Sequence, residues 1–187
     1  KYTLSKETSK DAIELLNFIA KMGAKEFNVR RVIVAGNASK DMVLSNEEYK
    51  NIIRELIQNC RKLDVKFRTG DPLLIPIFSE VWGIDIKNDD LSKIYAGCQA
   101  GDEIIYIDYK GNVGACSYIP RFADNIKDKS LDEILEKNKL FVTLKEYKEN
   151  LKGKCQKCKY KMICGGCRAT ALALKKSLLE EDPLCLL

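Results

Sequence analysis

The sequence predicts an α/β fold in two parts, in which βα units with a parallel sheet precede a smaller α+β region built around cysteine. Stretches rich in Val and Ile alternate with amphipathic helical stretches through the first half, which is typical of βαβ units. Of the eight cysteines, only Cys60 lies before residue 98. We therefore expect two units, residues 1–95 and 96–187, and we expect the second to be stabilised by something that sulfur binds.

Composition excludes several classes of protein. With 45% hydrophobic and 32% charged residues, the chain can bury a core. A formal net charge of +5 is small for a nucleic-acid-binding protein, and no apolar run reaches the ~18–20 residues of a membrane span. No secretory leader opens the chain, so we expect a cytoplasmic protein without nucleic-acid or membrane partners. The absence of histidine excludes Cys/His zinc sites and His-based catalysis.

The first half alternates between predicted strands and helices. Lys1–Leu4 is predicted to end a strand, and Glu26–Val34 and Val65–Thr69 are predicted to form two more. A helix is expected to start with a side-chain cap at Thr8–Asp11 and to end at Gly23. Because so few βα units do not close a barrel, we expect this chain to be the C-terminal part of a longer protein.

The second helix has the clearest pattern. Ser45 and Glu48 form a capping box, and apolar residues then recur at helical spacing. This apolar stripe consists of Tyr49, Ile52, Ile53, Leu56, Ile57 and Cys60. Cys60 is predicted to be a small buried hydrophobe and is excluded from any metal site. The apolar run Leu73–Trp82 is predicted to be buried.

The second half predicts a β-hairpin and two helices. Glu103–Asp108 and Val113–Tyr118 are predicted to pair across a turn at Gly111. Cys98 then precedes the hairpin, and Cys116 lies on its second strand. The predicted helices run from a Ser130/Glu133 capping box to about Leu151, with a break, and from Arg168 to Ser177.

The paired cysteines have the spacing Cys155-x2-Cys158-x5-Cys164-x2-Cys167. Disulfides are disfavoured, because adjacent CxxC pairs make a poor framework and nothing indicates export. A single zinc ion is also disfavoured, since zinc ribbons usually separate their pairs by about 12–20 residues. An iron–sulfur cluster accommodates closely spaced thiolates on a glycine-containing loop. The spacing therefore favours a cluster, without naming a protein.

The complete cysteine pattern resembles that of a known domain family. It runs Cys98-x12-Gly111-x4-Cys116, then the paired cysteines, then Cys185. The intervening stretches include Gly111-Asn-Val-Gly-Ala-Cys116, Asp124-Asn-Ile126, Ser130-Leu-Asp-Glu-Ile134 and Cys164-Gly-Gly-Cys-Arg-Ala169. Residues 96–187 resemble the SPASM domain, the C-terminal auxiliary-cluster domain of radical S-adenosylmethionine (SAM) enzymes. Residues 1–95 resemble the last βα units of the partial (β/α) barrel of those enzymes.

The resemblance implies a fold and a class of substrate. The fold is a partial barrel followed by a small α+β SPASM domain, with a β-hairpin and helices around its iron–sulfur clusters. The common pattern has three residues between the last paired cysteines, whereas two separate Cys164 from Cys167. This variant, with Glu181-Asp-Pro-Leu-Cys185, is similar to the subgroup acting in haem and haem-like cofactor biosynthesis. The implied substrate is a peptide or a tetrapyrrole-like molecule, and the implied electron donor is a ferredoxin or flavodoxin.

The resemblance also implies ligands for two [4Fe–4S] clusters. The implied ligands of a distal cluster are Cys155, Cys158, Cys164 and Cys185. The implied ligands of a proximal cluster are Cys98, Cys116 and Cys167. Because a cube has four irons, we expect one proximal iron without a cysteine ligand, since Leu91–Gly97 contains none. Water, a carboxylate such as Asp102, the substrate or a neighbouring side chain would then fill that position.

One motif of the radical SAM family is absent from these residues. No CxxxCxxC, the motif that binds the SAM-cleaving cluster, occurs in the 187 residues. We therefore expect SAM and a third [4Fe–4S] cluster to bind only in a longer parent protein, and no SAM cleavage by this chain alone. Two other hypotheses stay open: a non-catalytic iron–sulfur electron-transfer or scaffold protein, and a zinc-stabilised binding module.

Basic residues supply further candidates. Arg30 and Arg31 are predicted to point to opposite faces of their strand. One of them is expected to face the barrel interior and bind the SAM carboxylate or an anionic substrate, with an ion pair as the alternative. Five lysines flank the paired cysteines and either offset cluster charge or form a solvated basic loop. They are Lys152, Lys154, Lys157, Lys159 and Lys161.

Overall fold

A computed structural model describes residues 1–82 and 97–187. The predicted boundary between residues 95 and 96 lies outside the described residues. The strands are β1 (Tyr2–Leu4), β2 (Glu26–Arg31), β3 (Lys66–Thr69), β4 (Tyr106–Ile107), β5 (Asn112–Gly114) and β6 (Phe122–Asn125). The helices are α1 (Ala12–Lys21), α2 (Asn46–Lys62), α3 (Ile75–Trp82), α4 (Leu131–Lys137), α5 (Lys139–Lys145) and α6 (Arg168–Lys175).

The first half folds as the predicted βα units. Strands β1, β2 and β3 form a parallel sheet in chain order, with Thr3 opposite Arg30 and Phe27 opposite Phe67. Helix α1 connects β1 to β2, and α2 connects β2 to β3, which is the crossover that parallel pairing requires. The predicted α/β class of this half is therefore confirmed.

Helix α2 forms as its sequence predicts. Ser45 Oγ accepts a hydrogen bond from the Glu48 N–H, and the Glu48 carboxylate accepts from the Ser45 N–H, so the capping box is complete. The apolar stripe packs against the core, where Ile53, Leu56 and Ile57 are fully buried. Together with the buried residues after β3, this helix supplies most of the first core.

Two boundaries in this half differ from the prediction. Thr8–Asp11 forms a separate 3₁₀ turn before α1, because the Thr8 hydroxyl bonds the Thr3 carbonyl at 2.7 Å rather than capping the helix. Strand β2 ends at Arg31, short of the predicted Val34. The chain leaves the sheet there because β1, its partner, ends at Leu4, opposite Arg31.

The second half contains a small antiparallel sheet, β4–β5–β6. The predicted hairpin is present, and Asp108 Oδ1 accepts from the N–H groups of Lys110 and Asn112 to form its turn. Both hairpin strands are shorter than predicted, so Cys116 lies beyond β5 rather than on it. The third strand, β6, was not predicted, because Phe122–Asn125 has neither alternating polarity nor a β-branched residue.

The helices of the second half are short. The predicted break falls at Asn138, which ends α4 and caps α5 by accepting from the Leu140 N–H at 2.9 Å. Helix α5 ends at Lys145, before the predicted Leu151. A second, smaller core includes Ile134, Phe141 and Leu144. Within the described residues, no helix combines the length and apolar character that crossing a bilayer requires.

Candidate iron–sulfur sites

Seven cysteines line two cavities. One cavity is lined by Cys155, Cys158, Cys164 and Cys185, which we call the distal set. The other is lined by Cys98, Cys116 and Cys167, which we call the proximal set. The structure thus brings together the members of each ligand set that the resemblance implied. Cys60 is buried on α2 in the first core, and all eight cysteines are free thiols.

Backbone N–H groups point at sulfur in the distal cavity. The Tyr160 N–H donates to Cys158 Sγ, and the Gly166 N–H donates to Cys164 Sγ, each at 3.4 Å. The Cys164 thiol itself donates to the Pro72 carbonyl at 2.8 Å, across from the first half. N–H groups aimed at sulfur stabilise its thiolate form, so the loop suits a thiolate ligand.

The C-terminal segment closes the distal cavity. Cys185 N–H donates to the Asp182 carbonyl at 3.0 Å, and the Cys185 carbonyl accepts from Asn46 Nδ2 at 2.7 Å. The Glu181 carboxylate accepts from the Lys154 N–H at 2.7 Å, beside Cys155. These contacts hold the last cysteine of the distal set against both α2 and the paired-cysteine loop.

The proximal cavity opens toward the parallel sheet. It has a volume of about 280 Å³, and its lining includes Arg30 and Gly70 at the carboxyl ends of β2 and β3. Ligands of parallel α/β sheets bind outside the carboxyl ends of the strands. Cys167 precedes α6 and is buried, with its N–H donating to Asp182 Oδ2 at 2.9 Å. The exposed Asp102 does not contribute to the lining of this cavity.

Burial raises the pKa of most of the cavity thiols. The affected residues are Cys98, Cys116, Cys155, Cys164 and Cys167, with the pKa of Cys164 raised to about 12. The negative charges of neighbouring cysteines raise these pKa values further. The neighbour belongs to the same set: Cys116 raises the pKa of Cys98, and Cys185 raises the pKa of Cys164. Buried thiolates therefore need a nearby cation, and sulfur ligands suit iron in clusters or zinc.

The geometry that each metal needs from its sulfur ligands distinguishes zinc from an iron–sulfur cluster. A tetrahedral zinc ion binds all its sulfurs at about 2.3 Å from one centre. In a [4Fe–4S] cube, each cysteine binds a different iron, so its ligands need not meet at a point. Four cysteines around one cavity and three around the other are a donor set that fits such clusters.

Two glycines explain how one loop serves both cavities. Gly165 and Gly166, between Cys164 and Cys167, both have φ near +60°, which favours glycine. A Cβ on Gly165 would lie 2.5 Å from the Tyr147 hydroxyl, and one on Gly166 would lie 2.7 Å from Arg168 Nη2. The two glycines thus allow the chain to turn sharply past two buried side chains, so that Cys164 lies in the distal cavity and Cys167 in the proximal one.

Arg31 lies in a buried ion pair between the two halves. Its Nε is 3.0 Å from Asp71 Oδ2, and its Nη2 is 2.9 Å from Asp182 Oδ2. Burial acts to lower the pKa of Arg31, but the nearby negative charges, led by Asp71 and Asp182, outweigh it and raise that pKa. The structure therefore shows the predicted ion-pair alternative for Arg31.

Arg30 lies on the opposite face of β2, as the strand geometry predicts. Its side chain lines the proximal cavity, and a Cβ on Gly70 would lie 3.2 Å from its Nη2. Its buried Nε has no hydrogen-bond partner among the described residues. Of the two predicted anion-binding candidates, Arg30 is the one beside the cysteines with donor capacity to spare.

The lysines around the paired cysteines are mainly exposed. Lys152, Lys154, Lys157 and Lys159 face solvent, whereas Lys161 is half-buried and lines the distal cavity. Water and salt screen exposed charges strongly. Four of the five therefore fit the solvated-loop hypothesis better than a role in offsetting cluster charge.

Sequence reasoning gave no role to four residues of these sites. Asp71, Asp182, Tyr147 and Arg168 are buried or nearly so. Asp182 and Arg168 do occur within the quoted motifs, and an acid or arginine beside clustered cysteines is the signal that would have marked them. Asp71 and Tyr147 carry no such signal, because their neighbours in the fold are far away in sequence.

A comparison with family models identifies the class of the second half. Residues 98–159 match the model of SPASM, an iron–sulfur cluster-binding domain. The predicted resemblance to the SPASM domain is therefore confirmed for these residues.

Curated relatives give particular proteins to which the chain is similar. It is 28% identical to an AdoMet-dependent heme synthase of Methanosarcina barkeri, covering 98% of this chain and 54% of the relative. It is 24% identical to the AdoMet-dependent heme synthase of Nitratidesulfovibrio vulgaris, covering 98% of this chain and 52% of the relative. The chain thus spans about half the length of the curated relatives it matches.

Among solved structures, the fold matches Streptococcus suis SuiB bound to the precursor peptide SuiA. The TM-score is 0.71 at 19% identity, over 99% of this chain and 44% of SuiB. This similarity confirms the predicted mixed α/β fold class.

Proposed function

We propose that this chain is the C-terminal portion of a radical SAM oxidoreductase and binds two auxiliary [4Fe–4S] clusters. The observation that carries the proposal is the division of seven free cysteines between two cavities. The distal set supplies four ligands and the proximal set three. Such clusters, when bound, supply one-electron transfer at a potential that the surrounding protein sets.

Residues around the distal cavity are suited to stabilise four thiolates that bind a cluster. N–H groups of Tyr160 and Gly166 donate to sulfur, and Leu73 and Leu186 form apolar walls. Apolar walls limit solvent access, and hydrogen bonds to sulfur stabilise negative charge; both tune a cluster potential. We therefore assign electron transfer to the distal site, with a ferredoxin or flavodoxin as the donor.

We assign substrate docking to the proximal site. Its cavity reaches the carboxyl ends of the parallel strands, and three cysteines leave one iron of a cube for another ligand. Arg30, whose buried Nε has no partner among the described residues, would donate to a substrate carboxylate in this cavity. Two of the relatives named above are heme synthases and the structural neighbour is bound to a precursor peptide, so a tetrapyrrole-like or peptide substrate is proposed.

SAM and a third [4Fe–4S] cluster belong, in this proposal, to residues outside these 187. The chain contains no CxxxCxxC, so nothing in it corresponds to the SAM-binding cluster of the family. We expect no 5′-deoxyadenosine above background when this chain alone is reduced with SAM under anaerobic conditions.

Metal and sulfide analysis of anaerobically purified protein tests the proposal. Two [4Fe–4S] clusters predict about eight irons and about eight sulfides per chain. One zinc with negligible sulfide contradicts the proposal and favours the zinc-stabilised module.

Docking at the proximal site is tested by EPR of the reduced protein with added cyanide or thiolate. One of two signals is expected to change, and a spectrum indifferent to both ligands contradicts docking.

A further inference from the structure

Arg168 is a fully buried cation at the start of α6. Its side chain is 0% exposed. Nη1 donates to the carbonyls of Leu178 and Glu180 at 2.8 and 2.7 Å. Nε and Nη2 are also buried, and neither has a hydrogen-bond partner in the described part of the chain. Two nitrogen atoms of a buried guanidinium, Nε with one N–H and Nη2 with two, therefore lack an acceptor.

Such an arrangement is unfavourable unless a bound group supplies acceptors for these buried donors. Buried charges are normally paired with a counter-charge or coordinated, and buried donors are normally bonded. Among the described residues, Arg168 has no carboxylate partner within ion-pair distance, and its guanidinium lies 5.4 Å from the centre of the Tyr147 ring. An aromatic face offsets part of the cost, but it accepts none of the in-plane N–H groups on Nε and Nη2.

The position of Arg168 relates it to both cysteine sets. Arg168 directly follows Cys167 of the proximal set. Its guanidinium lies 5.4 Å from the centre of the Tyr147 ring, whose hydroxyl donates to the Cys98 carbonyl. On the other side, Gly166 lines the distal cavity. The Gly166 position, 2.7 Å from Nη2 if it had a Cβ, lies in the link between the two sets.

We propose that Arg168 is a positioning and redox-tuning residue shared by both iron–sulfur sites. Its Nε and Nη2 donate hydrogen bonds to sulfur, and its positive charge acts on the clusters at both sites. The inference rests on the proposed function, because sulfur of bound clusters is the acceptor that it requires. The chemistry fits, since reduced clusters carry added negative charge and a buried guanidinium is weakly screened. A cation near both sites stabilises the reduced form of each and raises both reduction potentials.

A charge-matched pair of variants tests this role. Arg168→Gln removes the charge but keeps N–H donors for the Leu178 and Glu180 carbonyls, whereas Arg168→Lys keeps the charge. Lys157→Met removes an exposed cation near the distal set and serves as the control. The measurements are iron and sulfide content, far-UV circular dichroism of the apo protein, and EPR-monitored redox titration of the two auxiliary clusters.

The expected result is that both midpoint potentials fall in Arg168→Gln, while Arg168→Lys and Lys157→Met stay near the parent protein. Lower iron uptake in Arg168→Gln, with the apo spectrum unchanged and uptake restored in Arg168→Lys, also supports the proposal. Equal potentials in the Gln and Lys variants overturn it, as does a shift confined to one cluster.

Loss of the apo fold in both substitutions also overturns the proposal, because Arg168 is then structural alone. Failure of the proposed function has a separate signature, in which the unsubstituted protein binds no iron and sulfide. Both proposals then fall together. If the unsubstituted protein binds both clusters and the Arg168 variants do not differ in potential, only the inference about Arg168 fails.

Discussion

Each half of the chain is stabilised in a different way. The first half has a helix of 17 residues, α2, and a parallel sheet packed on a large apolar core. In the second half the strands have two to four residues and the helices seven or eight. Elements this short bury little apolar area each. The difference teaches that packing stabilises the second half less than the first, and we expect bound iron–sulfur clusters to supply the rest.

The distal cavity joins the halves rather than belonging to one. Cys158 and Cys164 pack against the first core, which also includes Tyr160 and Leu186. The proximal cysteines pack against the second core instead. Arg31 adds a buried ion pair to Asp182 across the same boundary. Each cysteine set is thus associated with a different core.

The largest expected effect comes from removing one ligand of each set in turn. Cys98→Ser and Cys155→Ser should each lower the iron content by about half, because each removes one of two [4Fe–4S] clusters. The comparison lies in hydrogen exchange of the reconstituted proteins. We expect Cys98→Ser to loosen only the second half, and Cys155→Ser to raise exchange also in the first half, at α2 and around Pro72.

The unsubstituted protein with clusters retained is the reference for both variants. Identical exchange patterns in the two serine variants would contradict the assignment of the distal cavity to the boundary between halves. Iron loss in both variants with no change in exchange would show that the cores, rather than the clusters, stabilise the second half.

Arg31→Met breaks the ion pair between the halves. Removing one partner of a buried pair typically costs about 3–5 kcal/mol, because the carboxylates stay buried without their counter-charge. Asp71 and Asp182 would be left in this state. The free energy of unfolding of the apo protein, measured by denaturant titration, should fall by that amount.

Arg68→Met is the matched control, since Arg68 pairs with Glu26 on the exposed surface of the same sheet. Exposed ion pairs contribute about 0–1 kcal/mol. A similar small loss for both variants would mean that the buried pair adds nothing beyond what a surface pair does.

Much of the fold followed from the sequence because local signals carried it. The capping box at Ser45 and the apolar stripe of α2 each act within a few residues, and both form as predicted. The parallel sheet followed from the alternation of strand and helix. Strand β6 did not follow, because Phe122–Asn125 is defined by its pairing to β5 and not by its own composition.

The sites divide in the same way. The family resemblance implied which cysteines would lie together, and those cysteines line two cavities. The roles of Asp71 and Tyr147 depend on contacts with residues distant in sequence. Tyr147 donates to the Cys98 carbonyl at 3.4 Å, across 49 positions. No pattern read along one chain encodes such a contact, so these residues required the structure.

Gly165→Ala tests the link between the cavities. The left-handed backbone costs a non-glycine residue about 1–2 kcal/mol, and the new Cβ would lie 2.5 Å from the Tyr147 hydroxyl. Overpacking of this kind adds about 1–3 kcal/mol. Gly36→Ala isolates the backbone contribution, since Gly36 has φ of +60° with nothing within 4 Å of its Cβ position. Denaturant titration should show a larger loss at Gly165, and equal losses would show that Tyr147 moves aside freely.

Cys60→Ala is expected to have the smallest effect and to leave iron content unchanged. Cys60 is 1% exposed in the core of the first half, so its truncation leaves a small cavity that costs about 1–2 kcal/mol. Loss of iron in this variant would mean that Cys60 is a ligand and that the α2 face is wrongly assigned.

The pH dependence of the Cys60→Ala effect separates this buried thiol from the cluster ligands. Burial raises the pKa of Cys60 to about 11 from an ordinary value of 9.0. Between these values the unfolded chain loses the thiol proton while the folded protein keeps it, so the stability from Cys60 falls as pH rises. That contribution is fully present below pH 9.

The difference in unfolding free energy between the apo parent and Cys60→Ala should therefore be constant up to about pH 9 and shrink toward pH 11. A difference independent of pH over this range would show that the thiol already reaches solvent in the folded protein.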